Sequence, residues 1–190
     1  FVQVTSWIRM GQKDAMGETR EQFVEAALAR YERPLIGYAM GIVHDLERAR
    51  DVVQDTFIRL YQQDREKVGR GLKAWLYTVC RNRALDILRK EKRLILLKDE
   101  ELVREKETSS SPDHTADWDE RVSLVMKTLE QLPENQREVI RLKFQQELSY
   151  KEISEATGLA VGNVGFLLHT GLKRLRSLLP EDLLENRLSK

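Results

Sequence analysis

The chain lacks most of what would build a metal centre or a cross-linked fold. It has one cysteine, Cys80, which excludes an internal disulfide and suits a reducing compartment. Cys80 falls among apolar helix positions and reads as a packing residue. The three histidines, His44, His114 and His169, stand far apart without ligand-like spacing, so neither a metal site nor a cofactor is expected. No apolar run approaches the ~20 residues that span a bilayer, so no membrane insertion is expected. "FVQVTSWIRM" is too short and too polar for a signal peptide. The chain does not begin with Met, and residues 1–20 are read as an N-terminal extension with no weight in the fold. Charge of one sign is also missing. The net charge of +1 argues neither for nor against nucleic acid, because binding depends on where charges cluster.

What is present is helical patterning. With 190 residues, 33% charged and 41% hydrophobic, the chain suits one or two small soluble domains. Thr19 and Gln22 have capping-box spacing before "FVEAALARYERPLIGYAM", in which Phe23, Ala27, Tyr31 and Leu35 recur at helical intervals and Pro34 predicts a bend. Asp45 is placed to cap "LERARDVVQDTFIRLYQQ", whose buried stripe is Ala49, Val52, Val53, Phe57 and Leu60. "DREKVGRG" reads as a polar loop. The helix "LKAWLYTVCRNRALDILRKEKR" follows, with Leu76, Val79, Cys80, Ala84, Ile87 and Leu88 on its apolar side and Trp75 read as core.

Composition shifts after about Leu97. "KDEELVREKETSSSPDHTADWDE" is acidic, carries a Ser run and lacks a sustained apolar face, which reads as a flexible linker. A second domain starts near Trp118 with a helix bearing Val122, Val125, Met126 and Leu129, and Pro133 opens the next helix. The expected fold is all-α: two small helical domains, 21–97 and 118–182, joined by the acidic linker 98–117 and followed by a tail, 183–190. No strand and no internal repeat is expected.

"LSYKEISEATGLAVGNVGFLLHTGLKRLRSLL" has the layout of a helix-turn-helix. Ser149 and Glu152 form a capping box, Gly158 suits the left-handed turn, and a second helix starts near Val161. Ser154 is small enough to let the two helices cross closely. Such a second helix lies in the DNA major groove; the alternative is an ordinary helical hairpin. Lys173, Arg174 and Arg176 lie past the apolar core and suit phosphate contacts. A second basic element lies upstream: Arg81, Arg83, Arg89, Lys90, Lys92 and Arg93 crowd one short segment, with Tyr77, Asn82 and Trp75 nearby. Cations with interleaved aromatics suit single-stranded or opened nucleic acid, where Asn82 can hydrogen-bond a base edge. Two separated elements suggest a protein that spans two DNA sites.

These segments together resemble the extracytoplasmic-function (ECF) sigma factors of bacterial RNA polymerase, from about Glu21 to Leu179. "DLERARDVVQDTFIRLY" is similar to the family's polymerase-binding helix, "LKAWLYTVCRNRALDILRK" to its −10 helix, and "LPENQREVIRLKFQQELSYKEISEATGL" to the start of its −35 domain. The resemblance implies a sigma factor, not an enzyme, that binds core RNA polymerase at the β′ clamp and β flap and initiates transcription at promoter DNA. It assigns Asp51, Gln54, Asp55 and Arg59 to core polymerase. Tyr77, Arg81, Asn82, Arg83, Arg89, Lys90 and Arg93 fall to the −10 element, with Asn82 capturing an everted base. Asn163, Phe166, His169, Lys173, Arg174 and Arg176 fall to the −35 element. It further implies a bacterial cytoplasmic location and an anti-sigma partner, through which such a factor can be held at the membrane.

The recognition helix departs from the family pattern. Where members often carry a Thr-Val-Lys-Ser-Arg-like run, this chain has Asn163, Val164, Gly165, Phe166 and Leu167. Asn163 can pair with adenine and Phe166 can touch a thymine methyl. Alternatively Phe166 and Leu167 only pack and DNA shape gives the selectivity. Two other classes remain open at this stage. A stand-alone helix-turn-helix regulator would bind operators without polymerase. A nucleic-acid enzyme would need a metal-binding carboxylate cluster, and Asp51 and Asp55 have no evident third ligand.

Overall fold

The computed structural model describes residues 19–68, 71–98 and 118–180. The readings for most of residues 1–20, for nearly all of the linker 98–117 and for the tail 183–190 lie outside the described residues. The chain divides into two units, Phe1–Glu105 and Lys106–Lys190. Both are helical, and no strand occurs among the described residues.

The first unit packs α1 (Arg20–Val43), α2 (Leu46–Gln62) and α4 (Leu72–Lys98) against one another, with the single turn α3 (Arg65–Val68) between the last two. Each start has a local cause. At α1 the Thr19 hydroxyl accepts from the Gln22 N–H while the Gln22 side chain accepts from the Thr19 N–H, completing the capping box. At α2 the Asp45 carboxylate accepts from the Arg48 N–H at 2.8 Å. Such caps each contribute about 1 kcal/mol by satisfying a donor that has no intrahelical partner. Helix α1 runs through Pro34 as one element and ends at His44, whose left-handed φ of 56° turns the chain into α2. The segment read as a polar loop contains the single turn α3, and its Val68 is buried.

The core of this unit is Leu35, Tyr38, Val52, Phe57, Leu60, Leu76, Tyr77 and Cys80. Tyr38 and Tyr77 meet edge to face, with ring centroids 5.2 Å apart. Burial pushes the Cys80 thiol up to about 12, which fits its reading as a packing residue. Val79, Ile87, Leu88 and Trp75 are only half-buried.

The second unit contains α5 (Trp118–Glu130), α6 (Glu134–Ile140), α7 (Tyr150–Thr157) and α8 (Val161–Leu178). Pro133 is the N-cap of α6 rather than a residue inside its first turn. Helix α6 continues as a π-helical turn, Arg141–Gln145. The expected stripe on α5 is corrected: Leu129 is buried, but Val122 and Met126 are exposed. Among its described side chains the helix buries Thr128 and Leu129, with Leu132 buried beyond it. The turn is anchored by Glu130, which pairs with Arg137 at 2.8 Å and also with Arg141.

Candidate nucleic-acid interface

In the second unit, α7 and α8 are joined by a turn that its own side chains lock. Ser149 and Glu152 form the reciprocal capping box that starts α7. Gly158 ends it at φ 75°, a left-handed conformation that a Cβ would strain. The Ser154 hydroxyl donates to the Leu159 carbonyl at 2.6 Å, and the Thr157 hydroxyl accepts from the Leu159 N–H at 3.3 Å. Ser154 therefore closes the turn by hydrogen bonding, a role beyond the small size expected of it.

Helix α8 is divided lengthwise. Val164, Leu168, Gly171 and Leu175 form its buried seam. Phe166, His169, Lys173 and Arg176 are exposed and spaced three or four residues apart, so they form one stripe on the opposite side. Asn163 and Arg174 are exposed beside that stripe. Phe166 is 63% exposed, so it does not pack as a core residue; Leu167 is half-buried. A Cβ at Gly165 would meet the Tyr150 ring at 3.6 Å, an ordinary van der Waals contact.

Gly171 was missed as a determinant of this site. A Cβ there would stand 2.9 Å from Ile140 Cδ1 and 3.2 Å from Gln136 Cβ. The absent side chain lets α8 cross α6 closely, and the Gln136 amide donates to the Thr170 hydroxyl beside that crossing at 3.3 Å. The available signal was a glycine inside a helical pattern with apolar residues three before it and four after it.

In the first unit, α2 exposes Asp51, Gln54, Ile58 and Arg59. On α4, Asn82, Arg89, Lys90 and Arg93 are exposed and Arg81 is half-buried. Arg89 pairs with Asp86 at 3.0 Å, one turn away on the surface.

One assignment changes, and two expected site residues are found paired with each other. The Tyr77 side chain is fully buried, and its hydroxyl is pushed well above the ordinary tyrosine range by that burial. It belongs to the core rather than to a DNA surface, because its ring fills the space beside Tyr38. Arg83 and Asp55, expected at DNA and polymerase respectively, bind each other, with Arg83 Nε donating to Asp55 Oδ2 at 2.5 Å between α4 and α2. Among the described residues, no group of three or more His, Cys, Asp or Glu side chains could hold a metal ion. No described helix is long and apolar enough to cross a membrane.

These features define a helical protein with a helix-turn-helix in one unit and a basic, partly ion-paired helix in the other. Comparison with known proteins narrows the class. The Sigma-70 region 2 family model matches residues 27–94, and the Sigma-70 region 4 model matches residues 123–175. The ECF RNA polymerase sigma factor SigM of Bacillus subtilis (strain 168) is 28% identical over 149 residues, 78% of this chain and 90% of that protein. The ECF sigma factor SigW of the same organism is 32% identical over 181 residues, 90% of this chain and 92% of its own. Among solved structures, the sigma factor RpoE in complex with the anti-sigma factor NepR from Bartonella quintana matches with a TM-score of 0.63. It is 25% identical, over 81% of this chain and 94% of that one. The chain belongs to the ECF RNA polymerase sigma factor family. It directs promoter-specific transcription initiation, and a stand-alone regulator is not favoured.

Proposed function

We propose a division of labour among the exposed faces. Asp51, Gln54 and Arg59 on α2, beside the exposed apolar Ile58, meet the β′ clamp of core RNA polymerase. On α4, Asn82 captures an everted base of the −10 element while Arg81, Arg89, Lys90 and Arg93 hold the strand. Unstacking costs a few kcal/mol per base, which bound single strand offsets. On α8, Asn163 and Phe166 touch bases of the −35 element, His169 and Lys173 extend that surface, and Arg174 and Arg176 anchor phosphates. The bounds of this arrangement are 21–97 for the polymerase and −10 module, 98–117 for the linker, and 118–182 for the −35 module, which also meets the β flap. Nucleotide addition belongs to the polymerase. The structurally similar RpoE is bound by an anti-sigma factor, which supports an anti-sigma partner here. A cytoplasmic site of action follows from this reading.

The observation that carries the proposal is the two-sided α8, with its buried seam opposite a stripe of Phe166, His169, Lys173 and Arg176. The test is reconstituted transcription with core polymerase on a promoter found by mapping transcript starts after overexpression. The expected result is a defined start that requires both components. Asn82→Ala should retain duplex binding through the −35 element and lose opening, whereas Phe166→Ala should shift −35 preference. Unaltered starts and unaltered preference in both variants would overturn the assignment.

A further inference from the structure

We propose that Arg83 and Asp55 are positioning residues, holding the DNA-facing helix α4 in register on the polymerase-facing helix α2. This rests on the reading of those two faces given above.

Helices α2 and α4 pack directly against each other. Ala49, Val52 and Thr56 on α2 and Cys80 and Ala84 on α4 are fully buried. The Thr56 hydroxyl donates to its own helix, at the Val52 carbonyl, 2.8 Å away.

Two ion pairs cross the same seam. Arg83 of α4 binds Asp55 of α2, and Glu91 of α4 binds Arg48 of α2. The pairs run antiparallel and are separated by seven residues on α2 and eight on α4, about 10 Å and about 12 Å along the two helices. Two ties two turns apart fix both the axial slide of α4 and its rotation, which a single tie cannot do. The Arg83 tie is the more shielded, with side chains 29% and 38% exposed. It also adjoins Asn82 in the chain. A slip of α4 at this point would therefore carry the base-capturing side chain directly with it.

The contribution of such half-exposed pairs to folding is small. The predicted signature is accordingly one of function with little change in stability. The experiment uses the full chain with core polymerase. Core affinity is measured by titration of a fluorescent label, promoter opening at saturating holoenzyme by permanganate oxidation of unpaired thymines, and folding by circular dichroism melting. Asp55→Asn and Arg83→Met should each lower the equilibrium constant for opening by about fivefold, with core affinity and melting midpoint retained. The charge exchange D55R/R83D should restore opening.

Opening unchanged or improved in Asp55→Asn would overturn the proposal, since releasing Arg83 to DNA would then be the favourable event. Loss of core affinity in Asp55→Asn would also overturn it, by making Asp55 a polymerase contact. So would a charge exchange that restores nothing. Asn82→Ala separates this failure from failure of the underlying reading. If Asn82→Ala opens the promoter fully, the −10 role of α4 is wrong. If Asn82→Ala is defective and the exchange does not restore opening, only the positioning role is wrong.

Discussion

The exposed Phe166 ring allows the −35 readout to be tested at the level of one methyl group. If the ring covers a thymine C5-methyl, replacing that thymine with deoxyuridine removes the contact and little else, because the Watson–Crick and other major-groove groups remain. Burying one methyl is worth roughly 0.8 kcal/mol, so the unmodified chain should lose about fourfold in affinity at one thymine of the −35 element. Phe166→Ala should bind more weakly and discriminate no longer between thymine and deoxyuridine there. Folding should change little. The ring is 63% exposed, surface changes usually cost about 0.5 kcal/mol or less, and Ala is the better helix former. The assay is fluorescence anisotropy of holoenzyme on duplexes carrying single deoxyuridines across the −35 region, with both protein forms against both bases. Equal discrimination by the two protein forms at every position would refute the contact and leave shape as the source of preference.

Three further outcomes follow from the packing and charge. Lys90→Gln should reduce the slope of log affinity against log salt for opened promoter by about 0.7, the value for one single-strand phosphate contact. A Lys90→Gln slope equal to that of the unmodified chain removes Lys90 from the interface. Gly171→Ala should destabilise the second unit. Helix propensity favours Ala by about 1 kcal/mol, but the new Cβ would press on Gln136 Cβ, which cannot swing away, and overpacking costs about 1–3 kcal/mol. A thermal midpoint higher than that of the unmodified chain would contradict this. Cys80 should limit stability in alkali. Its thiol rises from an ordinary 9.0 to about 12 in the fold, so above pH 9 the unfolded chain releases a proton that the folded chain keeps. Stability should then fall by up to about 1.4 kcal/mol per pH unit through that window. Denaturant midpoints from pH 8 to pH 10 should decline less steeply in Cys80→Ala, and parallel declines would assign the effect to other groups.

The local devices of this fold were legible because each is written in a short stretch of residues. Thr19 with Gln22, Asp45, Ser149 with Glu152, and Gly158 all act within three or four positions of themselves, and all do in the structure what their spacing implies. The apolar stripe of α2 was legible for the same reason, since Ala49, Val52, Val53, Phe57 and Leu60 repeat at the helical period. Tyr77 shows where such reasoning fails. Near Asn82 in sequence it looks like part of a nucleic-acid surface, yet positions five apart on a helix face well away from each other, and Tyr77 packs against Tyr38 while Asn82 is exposed.

The same limit explains Asp55 and Arg83. Each lies off its own helix's most buried line and carries a full charge, so each alone reads as a surface group offered to a partner. Their mutual contact joins positions 28 apart in sequence and depends on how α2 and α4 cross, which no single-helix pattern encodes. It also alters the meaning of the basic cluster. Of the cations on α4, Arg83 is neutralised across the seam and Arg89 is partly engaged by Asp86. Glu91, the other acid within the basic cluster of α4, is drawn away by Arg48 of α2 and so does not offset its neighbours Lys90 and Lys92. The crossing of the two helices thus engages Arg83 and Glu91, while Lys90, Lys92 and Arg93 are exposed on α4.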